Sequence, residues 1–123
     1  MIRFVLPLLA VLAACVSEHE PAEPGNTVTC ERAAQPAGPD SAFVIIRDLA
    51  FEPAALNVVA GTRVVWVNCE NAGTVAHTTT TDASGWDSPV LDPGEVFSVE
   101  VPAGAHPYHC RLHPGMQASV NAS

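Results

Sequence analysis

The sequence predicts an all-β domain, a sandwich or barrel of about seven to eight short strands. Valine and threonine cluster in short runs, and 11 prolines and 8 glycines supply breaks between such runs. No stretch of the chain has the repeat of a long amphipathic helix. With 123 residues, the chain has room for one domain of this kind.

The predicted strands begin after residue 40 and follow one another at short intervals. The clearest is 62–68 (TRVVWVN), which alternates and is rich in β-branched residues. Segment 96–101 also alternates, and it follows Pro93-Gly94, where proline presets φ and glycine accepts a positive φ. We expect an irregular connection over 48–53 and a long loop through Trp86. The predicted strands are 42–46, 56–59, 62–68, 77–81, 96–101, 106–110 and 117–121.

The charge of the chain excludes one large class of function. The formal net charge is −8, and the five basic residues are all arginine. Because these arginines are scattered along the sequence, they form no basic face for nucleic acid. The acidity fits a well-solvated surface or a basic docking partner.

Residues 1–14 have the composition of a signal peptide. Arg3 precedes an apolar run that is shorter than the roughly 20 residues a permanent membrane helix needs. The run ends in LAAC at 12–15, which resembles the lipobox of bacterial lipoproteins. In that family the signal is cleaved before the cysteine, so the resemblance implies a lipid anchor on Cys15. Ordinary secretion with cleavage nearby is the alternative.

Residues 15–40 are acidic and rich in proline and alanine, and they lack periodicity. We interpret them as a solvated, lipid-anchored tether, and residues 41–123 as the folded domain. The protein is then exported and anchored to the cell envelope, in the periplasm or on the outer face of a membrane.

Soft metal donors recur in the segment YHCRLHPGM at 108–116. Cys110, His113 and Met116 follow one another at three-residue intervals, and proline and glycine let this loop fold tightly. A trigonal site of two imidazoles and a thiolate, with a weak axial methionine, is the blue-copper arrangement. The second histidine must come from elsewhere, and His77, at the start of a threonine-rich predicted strand, is the candidate.

With these motifs the chain resembles the plastocyanin-like cupredoxins over about residues 43–120. The Cys-x₂-His-x₂-Met spacing is similar to the short ligand loop of amicyanin. The resemblance implies a Greek-key β-sandwich or barrel and a single copper ion that alternates between Cu(I) and Cu(II). Further pieces similar to the family are FEP at 51–53, GTRVVWVN at 61–68, HT at 77–78, GWDS at 85–88 and PGE at 93–95.

The resemblance also implies a role for each residue of the site. His77 and His113 would be the imidazole ligands, Cys110 the thiolate and Met116 the axial ligand. The backbone amide of Thr78 would donate a hydrogen bond to the thiolate, at a position where many relatives have asparagine. The implied function is a one-electron carrier between envelope redox partners, with no enzymatic activity. The alternative is an envelope copper-binding module that buffers or delivers copper.

Other metal chemistries fit the residues less well. A multicopper oxidase needs further His-x-His pairs and several domains, and a dinuclear purple-copper site needs a second loop cysteine. A structural zinc site is disfavoured because methionine is a poor zinc ligand. Strand alternation directs His109 away from the side that Cys110 faces.

In the family the loop histidine is exposed at the surface, which implies that redox proteins dock transiently near His113. We expect the protein to act as a monomer. The expected apolar docking patch comprises Leu112, Pro114, Met116 and either Val90 or Leu91.

Two of the 4 cysteines remain once Cys15 is assigned to the anchor and Cys110 to the metal. An exported compartment permits a disulfide between Cys30 and Cys69. A free Cys69 or an intermolecular bond is the alternative.

Overall fold

The computed structural model describes residues 30–34, 38 and 40–123. The predicted signal peptide 1–14, the predicted anchor residue Cys15 and most of the predicted tether 15–40 lie outside these residues. Within the described part of the chain, no helix has the length and apolar character needed to cross a membrane.

The structure confirms the all-β prediction. One sheet has the strand order β2-β1-β4-β6 and the other has the order β3-β8-β7-β5. The two sheets form a sandwich, and each connection from β2 through to β7 leads from one sheet to the other. The β1–β4 and β3–β8 pairs are parallel, and the other pairs are antiparallel. The elements of the described residues are α1 (Cys30–Ala33), β1 (Ser41–Arg47), β2 (Ala50–Glu52), β3 (Ala55–Val58), β4 (Arg63–Asn68), β5 (Thr80–Thr81), β6 (Val96–Glu100), β7 (Gly104–His109) and β8 (Gln117–Ala122).

Trp66 of β4 lies at the centre of the core between the sheets and is fully buried. Its ring centroid is 5.2 Å from that of Trp86 and 5.6 Å from that of Tyr108. Tilted and edge-to-face contacts of this kind contribute about 0.5–1.5 kcal/mol beyond burial. Burial also raises the pKa of Tyr108 above its usual value. The same core cluster includes Cys110 and Met116, so the core continues into the predicted metal site.

The short helix α1 packs against the outer face of β1 and β4. Ala33 is buried there with Val65 and Val67, and a disulfide joins Cys30 to Cys69, the residue after β4. No regular structure is predicted from the sequence in this part of the tether. The structure differs because a covalent link and an apolar contact, both to residues distant in the chain, fix the helical turn.

Two strand predictions also differ from the structure. Residues 48–53, predicted as irregular, contain β2 and a tight turn in which Asp48 and Leu49 have φ angles of 52° and 57°. Glycine or asparagine usually marks such a turn, and neither is present here. Of the predicted strand 77–81, only Thr80–Thr81 pairs as β5, and His77 forms an isolated bridge with Leu91.

Candidate metal centre

Three of the predicted ligands converge at one end of the sandwich. Cys110 and His113 lie in the loop between β7 and β8, and His77 lies in the connection between β4 and β5. One donor atom from each residue lies within 4.8 Å of the others. Cys110 Sγ is 3.8 Å from His77 Nδ1 and 3.6 Å from His113 Nδ1. Both imidazoles therefore present the same ring nitrogen to the thiol.

The three residues differ in their access to solvent. His77 and Cys110 are fully buried, whereas His113 is half-buried. The two imidazole rings lie close together, with their centroids 5.0 Å apart. Solvent therefore reaches this cluster on the His113 side.

Backbone hydrogen bonds close the loop that carries Cys110. The Cys110 N–H donates to the Met116 carbonyl at 3.1 Å, and the Met116 N–H donates to the His113 carbonyl at 2.9 Å. Met116 is 5% exposed and belongs to the same core cluster as Cys110. The fourth predicted ligand therefore lies in the same closed loop, and its role as axial ligand stays a prediction.

His77 is positioned by the bridge to Leu91 and by the end of β4. His77 and Leu91 exchange two backbone hydrogen bonds, of 3.0 and 2.8 Å. Asn68, the last residue of β4, is fully buried and donates from Nδ2 to the carbonyls of Val75 and Leu91. The Asn68 side chain therefore fixes both the segment before His77 and the strand-like segment opposite it.

Thr78 contacts the thiol through its backbone and the neighbouring segment through its side chain. Its N–H donates to Cys110 Sγ at 3.3 Å, the bond that the family resemblance implies. Its hydroxyl oxygen accepts a hydrogen bond from the Arg111 N–H at 2.9 Å. Thr78 thereby links the two segments that carry the ligands.

Glu70 lies at the site although no sequence pattern predicts it. Its Oε1 is 3.0 Å from His77 Nε2, and its side chain is 10% exposed. Burial alone would raise the pKa of this carboxyl. Hydrogen bonds from the Leu49 backbone, the His77 ring and the Asp48 backbone outweigh burial, so the pKa of Glu70 lies below its usual value.

The other described histidines lie outside the cluster. His109 Nδ1 is 2.6 Å from Asp82 Oδ1 at the surface, consistent with the alternation that directs it away from the Cys110 side. His106 Nε2 is 2.8 Å from the Pro102 carbonyl. Neither residue joins the group formed by His77, Cys110 and His113.

The sequence profile of the cupredoxin-like domain matches residues 6–121, nearly the whole chain. The chain belongs to the cupredoxin-like family. Among curated protein sequences, none matches this cupredoxin.

Solved structures similar to this cupredoxin include amicyanins and a purple cupredoxin. A reduced amicyanin variant is 26% identical with a TM-score of 0.62, and the match covers 74% of this chain and 89% of that chain. The Cu(I) form of another amicyanin variant is 27% identical, with the same TM-score of 0.62 and the same coverages of 74% and 89%. A purple cupredoxin from Nitrosopumilus maritimus is 24% identical, with a TM-score of 0.59 over 66% of this chain and 98% of that chain, and it shows the fold alone.

The donor atoms of the cluster fit copper. Soft thiolate and imidazole donors converge in a largely buried site, which is the ligand combination that copper selects. The cofactor of this cupredoxin is one copper ion, which His77, Cys110 and His113 would hold. Cupredoxin-like proteins are mostly electron carriers rather than catalysts, and the fold and this cluster support a copper electron carrier here.

Proposed function

We propose that this cupredoxin is an exported one-electron carrier that holds a single type 1 copper ion and shuttles electrons between redox proteins of the cell envelope. The observation that carries the proposal is the convergence of His77, Cys110 and His113 donor atoms within 4.8 Å. Met116, in the same loop, is the proposed weak axial ligand. A copper ion bound here supplies a one-electron change between Cu(I) and Cu(II).

The contribution of the protein is an arrangement of donors that is set before the metal binds. The Cys110 N–H bond to Met116 closes the ligand loop, and the Thr78 N–H bond fixes the thiol against the His77 segment. Cys110 directly follows β7 and Met116 directly precedes β8, so the strands restrain both ends of the loop. The ligands therefore need to move little when the copper ion changes its oxidation state, and this favours electron transfer in either direction.

The proposed route for electrons passes through His113, the half-buried member of the cluster. Leu112 is 46% exposed and Val90 is 47% exposed, so both are available to a partner, as is Pro114. Met116 and Leu91, at 5% and 2% exposure, are buried and therefore do not line the surface that was expected to include them. A small apolar patch of this kind suits a weak, transient redox encounter.

The cellular setting is part of the proposal. The signal-peptide composition of residues 1–14 and the lipobox-like segment ending at Cys15 support export and a lipid anchor. The net charge of −8 fits a basic redox partner rather than nucleic acid. We propose a monomer that meets its partners at the envelope.

Loading the purified protein with Cu(II) tests this function. We expect one copper per chain and an intense visible absorption band from the thiolate–Cu(II) bond, which is lost on reduction and restored on oxidation. Cys110→Ser should abolish the band because a hydroxyl group is not a thiolate. His109→Gln is the matched control, since this neighbouring histidine lies outside the cluster, and it should retain the band.

The same preparation distinguishes electron transfer from copper delivery. A copper complex without the visible band, or copper that a chelator removes readily, would contradict the proposed carrier and support buffering or delivery. The complete burial of His77 and Cys110 leads us to expect slow release.

A further inference from the structure

The imidazole of His77 is contacted at both of its nitrogen atoms. Nδ1 faces Cys110 Sγ at 3.8 Å, and Nε2 lies 3.0 Å from Glu70 Oε1. An ionised carboxylate can only accept hydrogen bonds, so His77 Nε2 carries the proton that it donates to Glu70. The contact therefore fixes the tautomer that leaves Nδ1 free to bind a metal.

The same carboxylate oxygen accepts a second hydrogen bond from a strained turn. The Leu49 N–H donates to Glu70 Oε1 at 2.9 Å. Asp48 and Leu49 both have left-handed φ angles, 52° and 57°, a region that a side chain such as that of Leu49 rarely adopts. The Leu49 side chain is 52% exposed, so burial of leucine does not account for the conformation. The turn instead directs a backbone donor at Glu70.

Glu70 is also fixed through its main chain. Its N–H donates to Asn68 Oδ1 at 3.0 Å, and the preceding residue, Cys69, is joined to Cys30 by the disulfide. The carboxylate is therefore held by the turn, by Asn68 and by the disulfide-bonded segment, all on the side of His77 opposite the thiol.

We propose that Glu70 is a positioning residue for the copper site: it orients His77 and, through its negative charge, strengthens the imidazole as a donor to Cu(II). This inference rests on the proposed function, since it concerns the balance between two copper oxidation states. A stronger donor stabilises Cu(II) more than Cu(I), so Glu70 lowers the reduction potential. A carboxylate that hydrogen-bonds a metal-bound histidine commonly changes metal affinity by about 10- to 100-fold.

Glu70→Gln tests the role of the charge, because glutamine has nearly the same shape. We expect the preference for Cu(II) over Cu(I) to fall about tenfold, which raises the reduction potential by about 59 mV. Glu52→Gln is the control, since it removes the same charge from an exposed strand position, and its potential should match the wild type. Thermal unfolding of each apo-protein shows whether the variants remain folded.

Nuclear magnetic resonance of the apo-protein tests the positioning without copper. We expect His77 to carry its proton on Nε2 and to exchange it slowly with water, and we expect fast exchange in Glu70→Ala. An unchanged potential in Glu70→Gln, or a proton on Nδ1 in wild-type apo-protein, would overturn the inference. A wild-type protein that binds no redox-active copper would instead contradict the proposed function and the effect on potential. The position of the proton on His77 in the apo-protein would then still test the positioning role.

Discussion

Thr78 is the residue through which the two ligand segments are joined. Its hydroxyl accepts from the Arg111 N–H and lies 3.2 Å from Thr80 Oγ1. Because the Thr80 hydroxyl donates to Asp87 Oδ1, Thr78 must donate to Thr80. The result is an ordered chain of hydrogen bonds from the thiol-bearing segment to a surface carboxylate, and Arg111 Nε contacts the same carboxylate at 2.9 Å.

The hydroxyl of Thr78 can be removed without changing the shape of the side chain. Thr78→Val leaves the Arg111 N–H without its partner, and we expect the free energy of unfolding of the apo-protein to fall by about 1–3 kcal/mol. Urea titration measures the change. Thr78→Ser retains the hydroxyl and should lose much less. Equal stability of the valine variant and the wild type would contradict the linking role.

The residues of the centre were not equally predictable from the sequence. Cys110, His113 and Met116 share a short loop with regular spacing, and their side chains have a chemistry that few other sites need. Glu70 and Asn68 act through contacts between separate loops, and single acidic or amide residues in loops are too common to indicate a role. The burial of Met116 likewise depends on how the loop closes against the core.

At the scale of elements, α1 shows how a short segment becomes ordered through distant contacts. It has only four residues, too few to form a stable isolated helix. The disulfide between Cys30 and Cys69, with a sequence separation of 39, holds it against β1 and β4. The same disulfide restrains the loop that begins the connection to His77.

Removing this disulfide should destabilise the domain more than it disturbs the metal donors. For Cys30→Ser combined with Cys69→Ser, we expect a loss of about 2–4 kcal/mol in the apo-protein, because the unfolded chain is no longer restrained. Apo wild type under reducing conditions is the control and should match the variant. Unchanged stability of the double variant in urea would show that the link is not a structural one.

Alternation predicted most strands because it is a local property of the sequence. β1, β4 and β6 lie within one or two residues of their predicted bounds. β2 and α1 were not predicted, since the first follows a turn without glycine and the second depends on the disulfide. β5 is shorter than predicted because the residues from His77 to Thr79 do not pair with β7. They form hydrogen bonds with the loop at 87–91 or with the metal site instead.

At the scale of the whole molecule, acidic groups couple the stability of the fold to pH. The pKa of Asp87 lies below its usual value of 3.8, mainly because Thr80 donates a hydrogen bond to it, with a further contribution from Arg111. The pKa of Glu70 is likewise below its usual value of 4.5, because its hydrogen bonds outweigh the effect of burial. Both groups bind protons more readily in the unfolded chain, so they stabilise the folded state above those usual values.

We therefore expect the apo-protein to lose stability progressively as the pH falls from about 5 through the lowered folded-state pKa values. Urea unfolding at a series of pH values measures this dependence. Glu70→Gln combined with Asp87→Asn should show a shallower decline over the same interval. An equally steep decline in the double variant would assign the acid sensitivity to other groups.

One copper ion is proposed to lie among His77, Cys110 and His113, and its position can be measured. Anomalous X-ray diffraction from crystals of the copper-loaded protein locates the metal directly. We predict a single strong copper peak within bonding distance of His77 Nδ1, Cys110 Sγ and His113 Nδ1. A peak elsewhere, for example between His109 and Asp82, with none beside the Cys110 sulfur, would contradict it.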